Sequence, residues 1–310
     1  MSILTPRDVP LGGLRAMTVR RTLPNRQRST IGAWCFVDHY GPDEVELSGG
    51  MNLGPHPHTG LQTVTWLFQG EVEHRDSVGS VQLIEPGQVN LMTAGTGIAH
   101  AEHSTGRVPV VHGVQLWVAL ADKDRHIPPF FEHHIAPRAT IGDAQLIVFV
   151  GSLTGDTGTV TAATTTFTPL LGAEITAPAG STFTIPVNTT FEHGILVDSG
   201  SVEVNGELAE KDQLAYVEPG IDSLTLTIGD EPARLLLLGG TPFEEELVMW
   251  WNFIGRSHDE IVEFRNQWQE DVVLEGNPEG IFGSVEHGGT VIPAPEMPHV
   301  QLRPRKLPRP

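Results

Sequence analysis

The stretch from Gly54 to Glu102 constrains this chain more than any other. It opens with Gly54-Pro55-His56-Pro57-His58-Thr59-Gly60 and closes with Gly95-Thr96-Gly97-Ile98-Ala99-His100-Ala101-Glu102-His103. Between them, Thr63–Phe68 and Glu71–His74 read as β-hairpin sequence. Residues i and i+2 of a strand face the same side. His56 and His58 can therefore point into one interior, and His100 and Glu102 can do so from a second strand. Three imidazoles and one carboxylate suit a divalent first-row metal such as iron(II) better than calcium or magnesium, which take all-oxygen sites. A lone His-x-His carries little weight among 14 histidines. Two ligand pairs beside glycine turns, with strand sequence between, carry much more than the alternative of surface histidines in polar loops.

The other histidines rank below these. His39 follows the apolar run Ile31–Val37, which predicts a buried strand. In the sequence Asp38-His39-Tyr40-Gly41-Pro42 it reads as a solvent-facing or hydrogen-bonded turn residue, with a place beside the metal as the lesser alternative. His103 is out of phase with His100 and Glu102 and points away. His112 lies in the predicted strand Val110–Leu120, where Gln115 and Trp117 share one face. Arg125–His134 reads as a linker loop with His133 and His134 exposed. Leu14, Met17, Val19 and Thr22 suggest an edge strand.

The second half repeats the first without its ligands. Val197–Val204 echoes Leu67–Glu73, and Val217-Glu218-Pro219-Gly220 echoes Ile84-Glu85-Pro86-Gly87. Setting Gly200 on Gly70 puts Pro186 where His56 stands and Asn188 where His58 stands. His193 remains in this half, and a lone strand histidine is usually structural. Gln145–Val150 and Thr159–Phe167 read as strands. These signals predict an all-β chain of two antiparallel, jelly-roll-type barrels packed together. The first, 1–134, carries the metal site; the second, 135–310, lacks one. A helix near 257–270 starts at Ser257 as N-cap, with Ile261, Phe264 and Trp268 at helical spacing to pack on a barrel. The Pro-rich tail from Val291 is expected to run extended over the surface and to pack back on the first barrel.

Composition narrows the function classes. The net charge is −19, with 34 glycines and 24 prolines. Six arginines lie at or before Arg28 and four basic residues from Arg303 onward, so the middle is more acidic still. An acidic body repels phosphate backbones and argues against direct nucleic-acid binding. Cys35 is the sole cysteine, which rules out an internal disulfide. Arg20-Arg21 is not followed by an apolar export segment, and no run approaches the ~20 apolar residues of a membrane span. A cytoplasmic monomer is expected.

The two metal motifs resemble those of the pirin family, a branch of the cupins. Ile31–Pro42, Gln115–Leu120 and Ile292-Pro293-Ala294-Pro295 are also similar to segments of that family. The resemblance implies a double cupin with His56, His58, His100 and Glu102 as metal ligands, iron(II) as the metal, and quercetin 2,3-dioxygenase-type activity on a chelating flavonol or catechol. Glu102 would also act as the general base. Nickel, copper, zinc and manganese tolerate the same donors. The family equally suggests an iron-dependent regulator that binds a protein partner without catalysis, and a structural double cupin with an adventitious metal is a third reading. One departure is Gln62, where the family usually has an acidic residue.

Overall fold

The first strands already show how the chain divides its labour. The structure, a computed structural model, describes residues 1–10 and 17–304. In chain order the opening strands are β1 (Ser2–Leu4), β2 (Arg7–Pro10), β3 (Thr18–Leu23), β4 (Trp34–Glu44), β5 (Asn52–His58), β6 (Leu61–Gln69), β7 (Val72–Asp76), β8 (Val81–Ile84), β9 (Gln88–Thr93), β10 (Ile98–Ser104), β11 (Val110–Ala119) and β12 (Phe130–Ile135). A seven-stranded sheet, ordered β12-β9-β6-β11-β4-β3-β2, faces a four-stranded sheet ordered β5-β10-β7-β8. β1 leaves this barrel altogether. It pairs with Leu214–Val217 at the edge of the second barrel, Ser2 opposite Tyr216 and Leu4 opposite Leu214.

The second barrel repeats the plan with a seven-stranded and a four-stranded sheet. All named strand pairs in both barrels are antiparallel. The chain is therefore a nearly all-β double cupin with a short C-terminal helix.

Several local expectations need correction. β6 and β7 do not form a hairpin. β6 pairs with β9 and β11 while β7 pairs with β8 and β10, so the chain changes sheets at Gly70. Gly70 has φ 95°, and a Cβ there would lie 2.3 Å from the Val110 carbonyl oxygen, so only glycine makes this corner. Asp38–Pro42 does not turn the chain, because β4 continues through it to Glu44. Phe130–Ile135 is a strand on the edge of the large sheet, and His133 and His134 are half-buried there, His133 Nδ1 lying 2.7 Å from Asn90 Oδ1. The strand predicted over Thr159–Phe167 covers only Gly158–Thr161. β3 takes up Val19 and Thr22 of the predicted edge strand; Leu14 lies outside the described residues.

The barrels meet through a continuous apolar core in which Trp34, Trp66 and Leu116 pack with Phe149, Leu196, Leu236 and Leu238. Polar groups buried there are paired across the seam. Trp34 Nε1 donates to the carbonyls of Leu171 and Gly239, both at 3.1 Å. Trp66 Nε1 donates to Glu174 at 2.7 Å, and the Gly32 amide donates to Glu192 at 2.7 Å.

The C-terminal region returns to the first barrel. Ser257 caps the helix His258–Gln267, its hydroxyl accepting from the Glu260 amide at 3.2 Å, and a π-helical turn extends it from Trp268 to Leu274. Ile261, Trp268, Phe253 and Phe282 pack over Ala99 of β10. The Ile292 amide donates to the Pro55 carbonyl at 2.9 Å, which seats the tail on β5. No helix among the described residues is long and apolar enough to cross a membrane.

Candidate metal centre

β5 and β10 are neighbours, with His56 directly opposite His100 and His58 opposite Ile98. The alternation of β5 puts His56 and His58 on one face, and the antiparallel register brings His100 to them. His56, His58 and His100 each place one ring nitrogen within 4.8 Å of the others. His58 Nε2 and His100 Nε2 are 3.1 Å apart.

Glu102 enters differently. The β5–β10 register shifts between His100 and Glu102, so Glu102 faces Leu53. The extra residue of this bulge lies on β5, at Gly54-Pro55, while β10 keeps regular register with β7, so His100 and Glu102 still share a face. Glu102 lies in a second group of ligand atoms, with His74 and His100, that shares His100 with the first. All four predicted residues nevertheless line one cavity of about 470 Å³. His74 was not singled out by sequence spacing. The signal was there in His74-Arg75-Asp76, an i, i+2 pair of the same kind on β7.

The protonation pattern of these rings follows from their partners. His56 Nδ1 is 2.9 Å from the Gly54 carbonyl oxygen, which can only accept, so Nδ1 carries the hydrogen and Nε2 the lone pair. His74 Nε2 is 2.9 Å from the Asp76 carboxylate and donates to it. That leaves the His74 Nδ1 lone pair facing His100 Nδ1 at 3.4 Å. His100 then donates from Nδ1 and keeps its Nε2 lone pair on the side of His58. Carboxylate–imidazole support of this kind fixes the tautomer and orientation of a ligating histidine.

Electrostatics agree with a cation rather than protons at this point. Burial lowers the His56 imidazole to about 4, opposed by the Gly54 carbonyl and assisted by His74. Burial, then His56, holds His58 and His100 well below the ordinary imidazole range. Burial raises the Glu102 carboxyl, with His74 and the Thr65 hydroxyl acting against it. Three neutral imidazoles with converging lone pairs and a nearby carboxylate fit a borderline transition-metal ion, and fit calcium or magnesium poorly.

Around the rings the cavity is flat-walled and aromatic. Trp117 stacks on Phe36 at 4.0 Å between centroids, and the Arg21 guanidinium lies 4.2 Å above the Phe36 ring while forking onto Asp38 at 2.6 and 2.7 Å. Trp251, Asn252, Ile292, Pro293 and Pro295 supply another wall from the C-terminal region. The Thr65 hydroxyl lies 3.0 Å from Glu102 Oε1 and 3.1 Å from Gln115 Oε1, so one hydrogen serves two acceptors.

The remaining candidates are placed as follows. His103 points away, toward Glu73 at 3.6 Å and the His287 ring. Gln62 is buried and donates to Thr93 Oγ1 at 2.8 Å and the Thr165 carbonyl at 3.0 Å. Pro186 and Asn188, the counterparts of His56 and His58, are exposed. His193 is fully buried, with neither ring nitrogen hydrogen-bonded among the described residues, and burial lowers it to about 4. His39 is neither solvent-facing nor beside this cavity; it is buried in β4 against His112 and Asp198.

Asp76→Asn tests the support given to His100. Without the carboxylate, the His74 ring loses its orienting acceptor. Metal affinity measured by competition with a chromogenic chelator is expected to fall about 10–100-fold. An unchanged affinity would show that Asp76 and His74 do not orient His100.

Comparison with known proteins agrees with this geometry. Residues 15–118 match the family model described as Pirin, and residues 172–273 match that of the Pirin C-terminal cupin domain. The chain is 46% identical over 281 residues to a Pseudomonas aeruginosa protein named "Putative quercetin 2,3-dioxygenase", covering 90% of this chain and 87% of that one. It is 33% identical to a Caulobacter vibrioides pirin-like protein, over 81% of this chain and 88% of that one. The crystal structure of a quercetin 2,3-dioxygenase from Acinetobacter baumannii superposes with a TM-score of 0.89 at 37% identity, covering 98% of both chains. Both halves of the chain, the paired metal motifs and the whole double barrel thus point one way: this protein belongs to the pirin family.

Proposed function

We propose that this chain is a metal-dependent dioxygenase of the quercetin 2,3-dioxygenase type, acting on a flavonol or a similar chelating aromatic with iron(II) as its metal. The observation that carries the proposal is the cavity itself. Three buried neutral imidazoles and a carboxylate line a space of about 470 Å³ walled by Phe36, Trp117 and Trp251. Aromatic walls and a few convergent polar groups suit a flat, oxygen-bearing ring system. The names of the Pseudomonas and Acinetobacter relatives support the same chemistry.

His56, His58 and His100 would hold the ion, with Glu102 as the carboxylate arm. When bound, iron(II) supplies Lewis acidity toward a substrate hydroxyl and redox chemistry toward dioxygen. The protein's own part is positioning and proton transfer. Phe36 and Trp117 present a stacked edge against which an aromatic ring can be held. Glu102, its carboxyl raised by burial, takes the hydroxyl proton of the substrate. As it does so, the Thr65 hydrogen is free to turn to Gln115.

The decisive experiment loads the protein anaerobically with iron(II), adds quercetin, and admits oxygen. Ring-opened product with release of carbon monoxide is expected. Neither product with iron, nickel, copper, zinc or manganese would reject the activity. Glu102→Gln is expected to lower turnover about 10²–10⁴-fold, the usual contribution of a positioned base. Metal content measured beside the rate separates loss of the base from loss of a ligand.

A further inference from the structure

A second convergence of ligand atoms lies where the barrels meet. His39 comes from β4 and His112 from β11, both in the first barrel; Asp198 comes from the strand Glu192–Ser199 of the second. His39 Nε2 is 2.8 Å from Asp198 Oδ1, His112 Nε2 is 2.6 Å from the same oxygen, and the two nitrogens are 3.3 Å apart. All three residues are buried. None of them lines the cavity described above.

The surroundings match what a bound ion requires of its ligands. A ligating histidine commonly donates its other ring N–H to a carboxylate, and a ligating carboxylate is itself hydrogen-bonded. His39 Nδ1 lies 3.2 Å from Asp212 Oδ1, and the second oxygen of Asp198 lies 3.3 Å from Arg234 Nη1. Arg20 Nη2 is 3.4 Å from both ring nitrogens of His39, a position that only the ring face allows without overlapping Cε1. The in-plane direction of the Nε2 lone pair stays open. Arg20 is tied down by Asp212 at 2.9 Å and by the Gly41 carbonyl at 2.6 Å.

The crowding at Asp198 sharpens the case. With no ion present, two ring nitrogens 3.3 Å apart crowd one Asp198 oxygen, and only the His39 contact to that oxygen has hydrogen-bond geometry. One divalent cation removes the crowding, because both Nε2 atoms and the oxygen become ligands. The three separations are comparable to those between neighbouring ligands around one ion with bonds of about 2.1 Å. Two imidazoles and one carboxylate form a donor set for first-row divalent ions.

We propose that His39, His112 and Asp198 form a second metal site, for a divalent first-row ion such as zinc, which pins the two barrels to each other. Its ligands are 159 residues apart at the widest pairing, His39 with Asp198, so the ion joins segments that the chain itself connects only distantly. The site is independent of the dioxygenase reading.

The test is zinc stoichiometry on the full chain, stripped with a chelator, dialysed against zinc(II) and analysed for metal. Wild type is expected to bind two equivalents and His100→Ala one. Adding Asp198→Asn or His112→Ala to the His100→Ala protein should abolish the remaining equivalent. Zinc should raise the unfolding midpoint of His100→Ala but not of the double variants. A wild type that binds one equivalent, or binding by His100→Ala that survives both second substitutions, overturns the proposal. Should the double variants not fold, the zinc X-ray absorption spectrum of His100→Ala decides. Two imidazole nitrogens with oxygen support the site, and fewer than two overturn it.

Discussion

His100→Ala is expected to empty the aromatic cavity of its metal ion. His100 belongs to both groups of ligand atoms there, meeting His58 through Nε2 at 3.1 Å and His74 through Nδ1 at 3.4 Å. Losing it removes a ligand and disconnects the Asp76–His74 pair from the ion. The drop in affinity should exceed the roughly 10–100-fold that loss of a supporting group alone produces. The fold should survive, because the side chain lies at the cavity wall and alanine is a neighbour on either side, at Ala99 and Ala101. Chelator competition gives the affinity, and circular dichroism checks the fold. Retention of wild-type affinity by a folded His100→Ala protein would remove His100 from the ligand set, and with it the basis of the dioxygenase reading.

Trp34→Ala should produce the largest loss of stability. Trp34 is fully buried at the seam between the barrels, edge-on to Phe149, and its indole N–H serves two carbonyls of the second barrel. Truncating a buried tryptophan costs about 3–5 kcal/mol from lost burial and the cavity left behind. Trp34→Phe keeps most of the apolar volume but leaves the carbonyls of Leu171 and Gly239 without that donor. It should cost about 1–3 kcal/mol. Denaturant midpoints of the two variants separate packing from hydrogen bonding. Equal losses would assign the whole effect to the N–H and none to the ring volume that phenylalanine keeps.

The metal motifs were legible because strand alternation acts locally. Two residues apart on β5 is enough to predict that His56 and His58 share a face. The same alternation holds for His100 and Glu102, since β10 keeps regular register with β7, while the register shift against β5 comes from an extra residue on β5. Nothing in Gly54-Pro55 announces that shift; it arises from pairing with β10. His74 was overlooked because its relevance depends on β7 lying beside β10, a neighbour relation set by the sheet rather than by the segment. His39 was misread for a similar reason. Gly41-Pro42 is a turn signal in isolation, yet β4 absorbs it as a bulge and runs on to Glu44 against β11. The double barrel was legible from its repeat. The placement of β1 in the second barrel was not, since a three-residue strand carries too little pattern to choose a partner.

The walls of the aromatic cavity come from opposite ends of the ligand order. Phe36 to Trp117 provide the ion-binding rings and the stacked aromatic edge, whereas Trp251, Asn252 and Ile292 to Pro295 close the other side. On a ribosome these two sets emerge far apart in time, on the order of ten seconds at ordinary elongation rates. The nascent first barrel therefore displays its imidazoles from an open trough, and enclosure waits until Trp251 to Pro295 have emerged.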